Sequence, residues 1–232
     1  MNSPDVWYLE NVDAEGIFCP KKLGQQNPSH FHVNFDKGDA IFSPNESSDK
    51  IYYITSGRVK IGAESDGERA VTKAILGPGE IFGELALVGE EKRRHKAIAL
   101  EPTSLCVIQR DQLTNLFKDH NPLYLFMMRL IGSRAITMEK RLESLVFKDS
   151  RTRIVDFLIS LKKEKGERVG YEWVVRKFMT HQQIASLTAT SRQTVTTVLN
   201  DLRSKGILTF DRRRLLIRDF EALENEVTNS YL

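Results

Sequence analysis

Between residues 30 and 109, apolar side chains come in short runs, each closed by turn-forming residues. Phe31-His32-Val33-Asn34-Phe35, Ile51-Tyr52-Tyr53-Ile54, Arg58-Val59-Lys60-Ile61 and Ala70-Val71-Thr72-Lys73-Ala74 read as strands. Ala97-Ile98-Ala99-Leu100 and Ser104-Leu105-Cys106-Val107-Ile108 follow. Between them lie Lys37-Gly38-Asp39, Ser56-Gly57, Asp66-Gly67 and Gly77-Pro78-Gly79-Glu80, which supply tight-turn chemistry. Short strands at this spacing predict an antiparallel jelly-roll barrel. The period then lengthens. Tyr124, Met128, Ile131, Ala135, Met138, Leu142 and Leu145 are alternately four and three residues apart, the apolar seam of a helix that pairs with a second helix.

Past Phe147-Lys148-Asp149-Ser150, read as a hinge, a helical run carries Ile154, Phe157, Leu158 and Leu161, and Lys162 to Gly170 reads as a charged loop. Two short amphipathic helices come next. The first, from Thr180 to Leu187, opens on a Thr180-x-x-Gln183 capping box. The second opens on Thr190-x-x-Gln193 and puts Val195, Val198 and Leu199 on one inward face. Its other faces carry Ser191, Arg192, Gln193, Thr196 and Thr197, hydrogen-bonding groups suited to base edges. Ile207-Leu208-Thr209-Phe210 and Leu215-Leu216-Ile217 then flank Asp211-Arg212-Arg213-Arg214, a wing with a basic tip.

The fold class is therefore α+β: an N-terminal antiparallel jelly-roll barrel, a long dimerisation helix and a C-terminal winged helix-turn-helix. The divisions are 1–28, an N-terminal extension; 29–120, the barrel; 121–147, the dimerisation helix; and 148–232, the winged domain.

Net charge is only +3, but it is unevenly placed. Residues 151–232 carry 15 basic against 10 acidic side chains, and the first 150 carry 19 against 21. The basic excess coincides with the helix-turn-helix, as phosphate neutralisation requires. No apolar run approaches the ~20 residues of a membrane span, and Met1 to Asp5 lacks the basic-then-apolar pattern of a secretory signal. Two cysteines, Cys19 and Cys106, make no disulfide framework, which points to a cytoplasmic protein. Two thiols also fall short of the four that an iron–sulfur cluster normally takes, so none is expected.

Three segments in order resemble Crp/Fnr-family regulators, the group of the catabolite activator protein, over about residues 30–220. Gly77-Pro78-Gly79-Glu80-Ile81-Phe82-Gly83-Glu84-Leu85-Ala86-Leu87 resembles the family's turn and the short helix of its effector pocket. Phe147-Lys148-Asp149 follows a long helix, as the family's hinge does. Ser191-Arg192-Gln193-Thr194-Val195 resembles the recognition signature Ser-Arg-Glu-Thr-Val. The resemblance implies a cyclic-nucleotide-binding-like barrel, a homodimer on an inverted-repeat DNA site, contact with RNA polymerase and control by a small effector.

On that reading Arg192 donates to O6 and N7 of guanine, and Gln193, standing where the family has Glu, matches N6 and N7 of adenine. Thr180, Ser191, Arg212, Arg213 and Arg214 are assigned to phosphate, and Ala189 stands in the turn where the family often has glycine. In the effector pocket Gly83 and Glu84 match the family's ribose-binding pair, with Leu85 beside them. The phosphate clamp falls on Arg93 or Arg94, depending on the end from which the register is counted. Neither register supplies the hydroxyl and small residues that follow the clamp. Met138-Glu139 stands where the catabolite activator sets a Thr-Ser pair against adenine. Cyclic AMP bound in the usual manner is not expected.

Two other classes fit parts of the chain. Gly24-x5-His30-x-His32-x3-Asp36 resembles the first metal motif of cupin enzymes, though Asp replaces Glu and the second motif's histidine is missing. A constitutive DNA-binding dimer with a vestigial barrel is the other. Haem sensing would draw on His30, His32, His95, Cys19 or Met138, and no spacing among them singles out a haem site. No nucleophile–base pair, Walker-type loop or paired carboxylates argue for catalysis.

Overall fold

The computed structural model describes residues 14–19, 30–64, 70–119, 121–211 and 213–228. The chain divides into two compact units, Met1–Thr137 and Met138–Leu232. In the first, β1 (His30–Phe35), β2 (Ala40–Phe42), β3 (Lys50–Ser56), β4 (Val59–Glu64), β5 (Ala70–Leu76), β6 (Ile81–Phe82), β7 (Lys96–Ala99) and β8 (Thr103–Gln109) form two antiparallel four-stranded sheets. Their orders are β1-β8-β3-β6 and β2-β7-β4-β5. This is the jelly-roll barrel, with two strands, β2 and β6, too short to register as periodic runs.

β3 explains how the barrel is filled. Ile51, Tyr52, Tyr53 and Ile54 are all buried because both faces of the strand are covered. Tyr52 and Ile54 point between the sheets, where Tyr52 stacks on Phe82 at 4.8 Å. Ile51 and Tyr53 point outward into a second core with Phe18, Cys106, Leu113, Leu123 and Met127. That outer layer is built from α1 (Ala14–Phe18), α2 (Arg110–Asp119) and the start of α3 (Asn121–Phe147). Phe18 of α1 stacks on Tyr53. Cys19, which follows it, is disulfide-bonded to Cys106 of β8, although the sequence spacing marks neither cysteine as paired.

α3 runs unbroken through all seven seam positions. Leu123 and Met127 are buried in the barrel unit, while Tyr124, Met128, Met138, Leu142 and Leu145 are exposed on the single chain. Ala135 is also exposed and Ile131 half-buried.

In the second unit α4 (Ser150–Lys165) is capped by Asp149, whose Oδ1 accepts from the Thr152 amide at 2.7 Å. Those hydrogen bonds hold the Asp149 carboxyl below its ordinary range. The charged stretch from Lys162 to Gly170 is not a loop. α4 continues to Lys165, and β9 (Gly166–Val169) turns through Gly170 and Tyr171 into β10 (Glu172–Arg176). β9 is an edge strand with exposed charged side chains, so it lacks the apolar alternation that marks a strand. α5 (His181–Thr188), α6 (Arg192–Ser204), β11 (Leu208–Phe210), β12 (Arg214–Ile217) and α7 (Phe220–Thr228) complete the unit. The sheet order β11-β12-β10-β9 backs a core of Ile154, Leu158, Ile184, Val195, Leu199 and Leu215. Among the described residues no helix is long and apolar enough to cross a membrane.

Candidate DNA-reading surface and effector site

Thr180 caps α5 through the reciprocal box: its Oγ1 accepts from the Gln183 amide, and Gln183 Oε1 accepts from the Thr180 amide at 2.9 Å. α6 is capped one residue later than the sequence predicts. Ser191 Oγ accepts from the Thr194 amide at 3.0 Å, while Thr190 Oγ1 meets Thr188 Oγ1. The later cap makes Arg192 the first residue of the helix and leaves the Gln193 side chain out of the cap. Both are exposed. Val195, Val198, Leu199 and Leu202 pin the opposite face into the core.

The two threonines divide. Thr197 is exposed, its Oγ1 donating back to the Gln193 carbonyl at 3.1 Å. Thr196 is half-buried, donates to the Arg192 carbonyl, and sits 2.9 Å from His181 Nδ1. Its contact with His181 joins α5 to α6. Burial and the nearby Arg192 charge hold the His181 imidazolium below its ordinary range.

Between the helices Ala189 takes the left-handed conformation, φ 50 and ψ 49. Arg153, unmarked in the sequence, locks this turn. Its guanidinium donates to the carbonyls of Thr188 at 3.0 Å, Ala189 at 3.2 Å and Lys148 at 2.7 Å. A Cβ in that region costs about 1–2 kcal/mol and the larger entropy of unfolded glycine offsets about 0.4–1 of it, so Ala189→Gly is expected to stabilise this unit by about 0.5–1 kcal/mol. Urea unfolding measures it; an unchanged or lower midpoint contradicts it.

At the wing, Asp211 accepts from the amides of Arg213 and Arg214 and from Arg214 Nε at 3.2 Å, which holds its carboxyl low. Arg213 and Arg214 are exposed, and Arg212 lies outside the described residues.

In the barrel, β6 is followed by Gly83, whose φ of 80 leads into a 3-10 turn, Glu84–Val88. A Cβ at Gly83 would sit 2.8 Å from the Lys50 carbonyl and 3.2 Å from Arg93 Nη1, so the close approach requires glycine. Glu84 is buried and ion-paired with Arg134 of α3, which also donates to the Ile81 carbonyl. Of the two arginines, Arg93 is buried and Arg94 exposed. The Arg93 guanidinium donates to the carbonyls of Gly83, at 3.2 Å, and Lys50. It pairs with Glu90 at 3.8 Å and lies 4.5 Å from the Phe42 ring centre. Among the described residues its Nε has no hydrogen-bond partner. Burial raises the Tyr52 phenol, with Arg93 opposing.

Leu85 is half-buried beside Glu84. Met138 and Glu139 belong to the other compact unit and are exposed. Sequence reasoning missed Arg134 and Glu90. The one available signal was a cation, Arg134, set between the seam residues Ile131 and Ala135.

The candidate metal and haem ligands separate. His32, Cys19 and Cys106 come together, His32 Nε2 lying 3.2 Å from Cys106 Sγ and 3.8 Å from Cys19 Sγ. His95 is half-buried elsewhere, its imidazolium held low by burial and Lys73. Gly24 lies outside the described residues, and of His30 only the backbone is described.

Residues 32–120 match the model of the cyclic nucleotide-binding domain, and residues 152–226 that of the Crp-like helix-turn-helix domain. The chain is similar to the global nitrogen regulator of Synechocystis sp., 27% identical over 90% of this chain and 93% of that one. It is also similar to the CRP-like cAMP-activated global transcriptional regulator of Mycobacterium tuberculosis, 29% identical over 82% and 85%. A variant of CooA from Carboxydothermus hydrogenoformans shares the fold with a TM-score of 0.77, 23% identity and coverage of 98% and 97%. With a nucleotide-binding-like barrel and a Crp-like helix-turn-helix in one order along one chain, the protein belongs to the Crp/Fnr family of DNA-binding transcription regulators.

Proposed function

We propose that the chain acts as a homodimer that sets two α6 helices into successive major grooves of an inverted repeat, about 34 Å apart. One observation carries this reading. α3 leaves its seam uncovered on a single chain, with Leu142 65% and Tyr124 50% exposed. An apolar stripe with a four-three repeat is the shape that a second copy covers. Arg192 and Gln193 then read bases, Thr197 lines the same face, and Thr180, Ser191 and the wing arginines Arg212, Arg213 and Arg214 hold phosphate. The partners are double-stranded DNA and RNA polymerase, in the cytoplasm, and no catalytic step is assigned.

The barrel holds a small effector in the region of Gly83, Glu84, Leu85 and Arg93. That effector is not cyclic AMP bound in the usual manner. The carboxylate that would take a ribose hydroxyl already pairs with Arg134, and the arginine that would clamp a phosphate is spent on two carbonyls and Glu90. Relatives of similar identity carry names as different as nitrogen regulator and cAMP-activated regulator, so kinship alone does not select the ligand. The same internal pairing favours a second reading, a constitutive dimer whose barrel needs no ligand. Identical DNA affinity across all small-molecule candidates supports that alternative.

Sedimentation tests the dimer: the protein at micromolar concentration is expected to run as a dimer and Leu142→Glu as a monomer. A monomeric parent chain overturns the reading. Calorimetric titration with cyclic AMP is expected to give no heat at micromolar ligand; saturable heat would return the pocket to the second-messenger class.

A further inference from the structure

We infer that Cys19, His32 and Cys106 form a thiolate–imidazole site for a divalent cation of the zinc class when the cysteines are reduced, and that the disulfide is its metal-free state. His32 and Cys106 face each other across the β1–β8 pair, and Cys19 arrives from the end of α1. A tetrahedral site with Zn–S near 2.3 Å and Zn–N near 2.05 Å separates nitrogen from sulfur by about 3.6 Å. The two Nε2-to-sulfur distances, 3.2 and 3.8 Å, bracket that value. The sulfurs must part to about 3.8 Å to hold the ion, a separation that side chains rooted 5.7 Å apart at Cα reach by rotation about χ1.

The donor set selects the cation. Two thiolates and an imidazole favour zinc over magnesium or calcium, which take oxygen. Both sulfurs are buried and His32 is exposed, so the fourth position opens to solvent and takes a water molecule. Two thiolates against a divalent ion sum to no net charge, which lets them stay buried. A dithiol reductant delivers two electrons and two protons to the disulfide and is itself oxidised to a disulfide. Binding of the ion then releases the two thiol protons. The site adjoins the core that holds Ala86 of the 3-10 turn and Leu123 and Met127 of α3, so its state bears on the segment that carries Glu84.

The test uses the full chain, oxidised or reduced with a phosphine, titrated with Zn2+ against a chromophoric chelator, with Co2+ as the optical probe. The reduced protein is expected to take one ion per chain, to release two protons and to show thiolate-to-cobalt charge transfer. The oxidised protein is expected to take none. His32→Ala, at an exposed position, is expected to keep its unfolding midpoint and bind at least tenfold more weakly. Equal uptake by the two redox forms, or His32→Ala binding as the parent does, overturns the assignment.

Discussion

Replacing Arg192 with Ala is expected to weaken binding to the cognate DNA by between roughly 30-fold and roughly 2 × 10⁴-fold, at unchanged thermal stability. A bidentate arginine–guanine contact contributes about 1–3 kcal/mol, and a two-fold complex carries two such contacts, so the loss is about 2–6 kcal/mol. The stability half of the expectation follows from position. Arg192 opens α6, its side chain is exposed, and the helix is held by the Ser191 cap and four buried residues that the substitution leaves alone. Base readout and phosphate contact are also separable. Arg192→Ala should leave the dependence of affinity on salt nearly as it was and relax the preference for guanine. Arg213→Ala should shallow the salt dependence and weaken all sequences alike. Anisotropy titrations on cognate and scrambled duplexes at several salt concentrations measure both. A uniform loss with a shallower salt slope for Arg192→Ala would reassign it to the backbone.

Reduction of the Cys19–Cys106 bond is expected to lower the unfolding free energy of the barrel unit by about 4 kcal/mol when a chelator keeps metal away. The bond closes a loop of 87 residues, and the entropy it removes from the unfolded chain grows with the logarithm of that length. Against a typical domain stability of about 5–15 kcal/mol, this is a large share. It also ties α1, through Phe18 and Cys19, to the core under α2 and α3. Urea unfolding of the oxidised and reduced chain gives the difference, and Cys19→Ser should be indifferent to reductant. Coincident midpoints for the oxidised and reduced parent chain would contradict it.

The periodic parts of this chain were legible, because one-sided burial writes itself into the sequence. The long helix α3, the inward face of α6 and the Thr180–Gln183 box all follow from spacing, and the structure forms each of them. What escaped was set by contacts between distant segments. The α6 cap is an example: Thr190 and Ser191 can both cap a helix, and Thr188 decides the matter by engaging Thr190. Arg153 and Arg134 read as ordinary surface cations, yet one locks the inter-helix turn and the other neutralises Glu84. Thr196 reads as a donor for DNA, and its contact with His181 on the preceding helix is invisible in the spacing. The β9–β10 hairpin was hidden by charge, since its edge strand exposes Glu167 and Arg168. Cys19 and Cys106 are 87 residues apart, and only the fold brings them beside His32.

The most direct test of the account is selection of bound sequences from a randomised DNA pool by the purified protein, supplied with each candidate effector in turn. The account predicts an inverted repeat with half-site centres about 10 base pairs apart, a guanine in each half and adenine at the step facing Gln193. A single unpaired half-site, or no sequence preference under any condition, would contradict it.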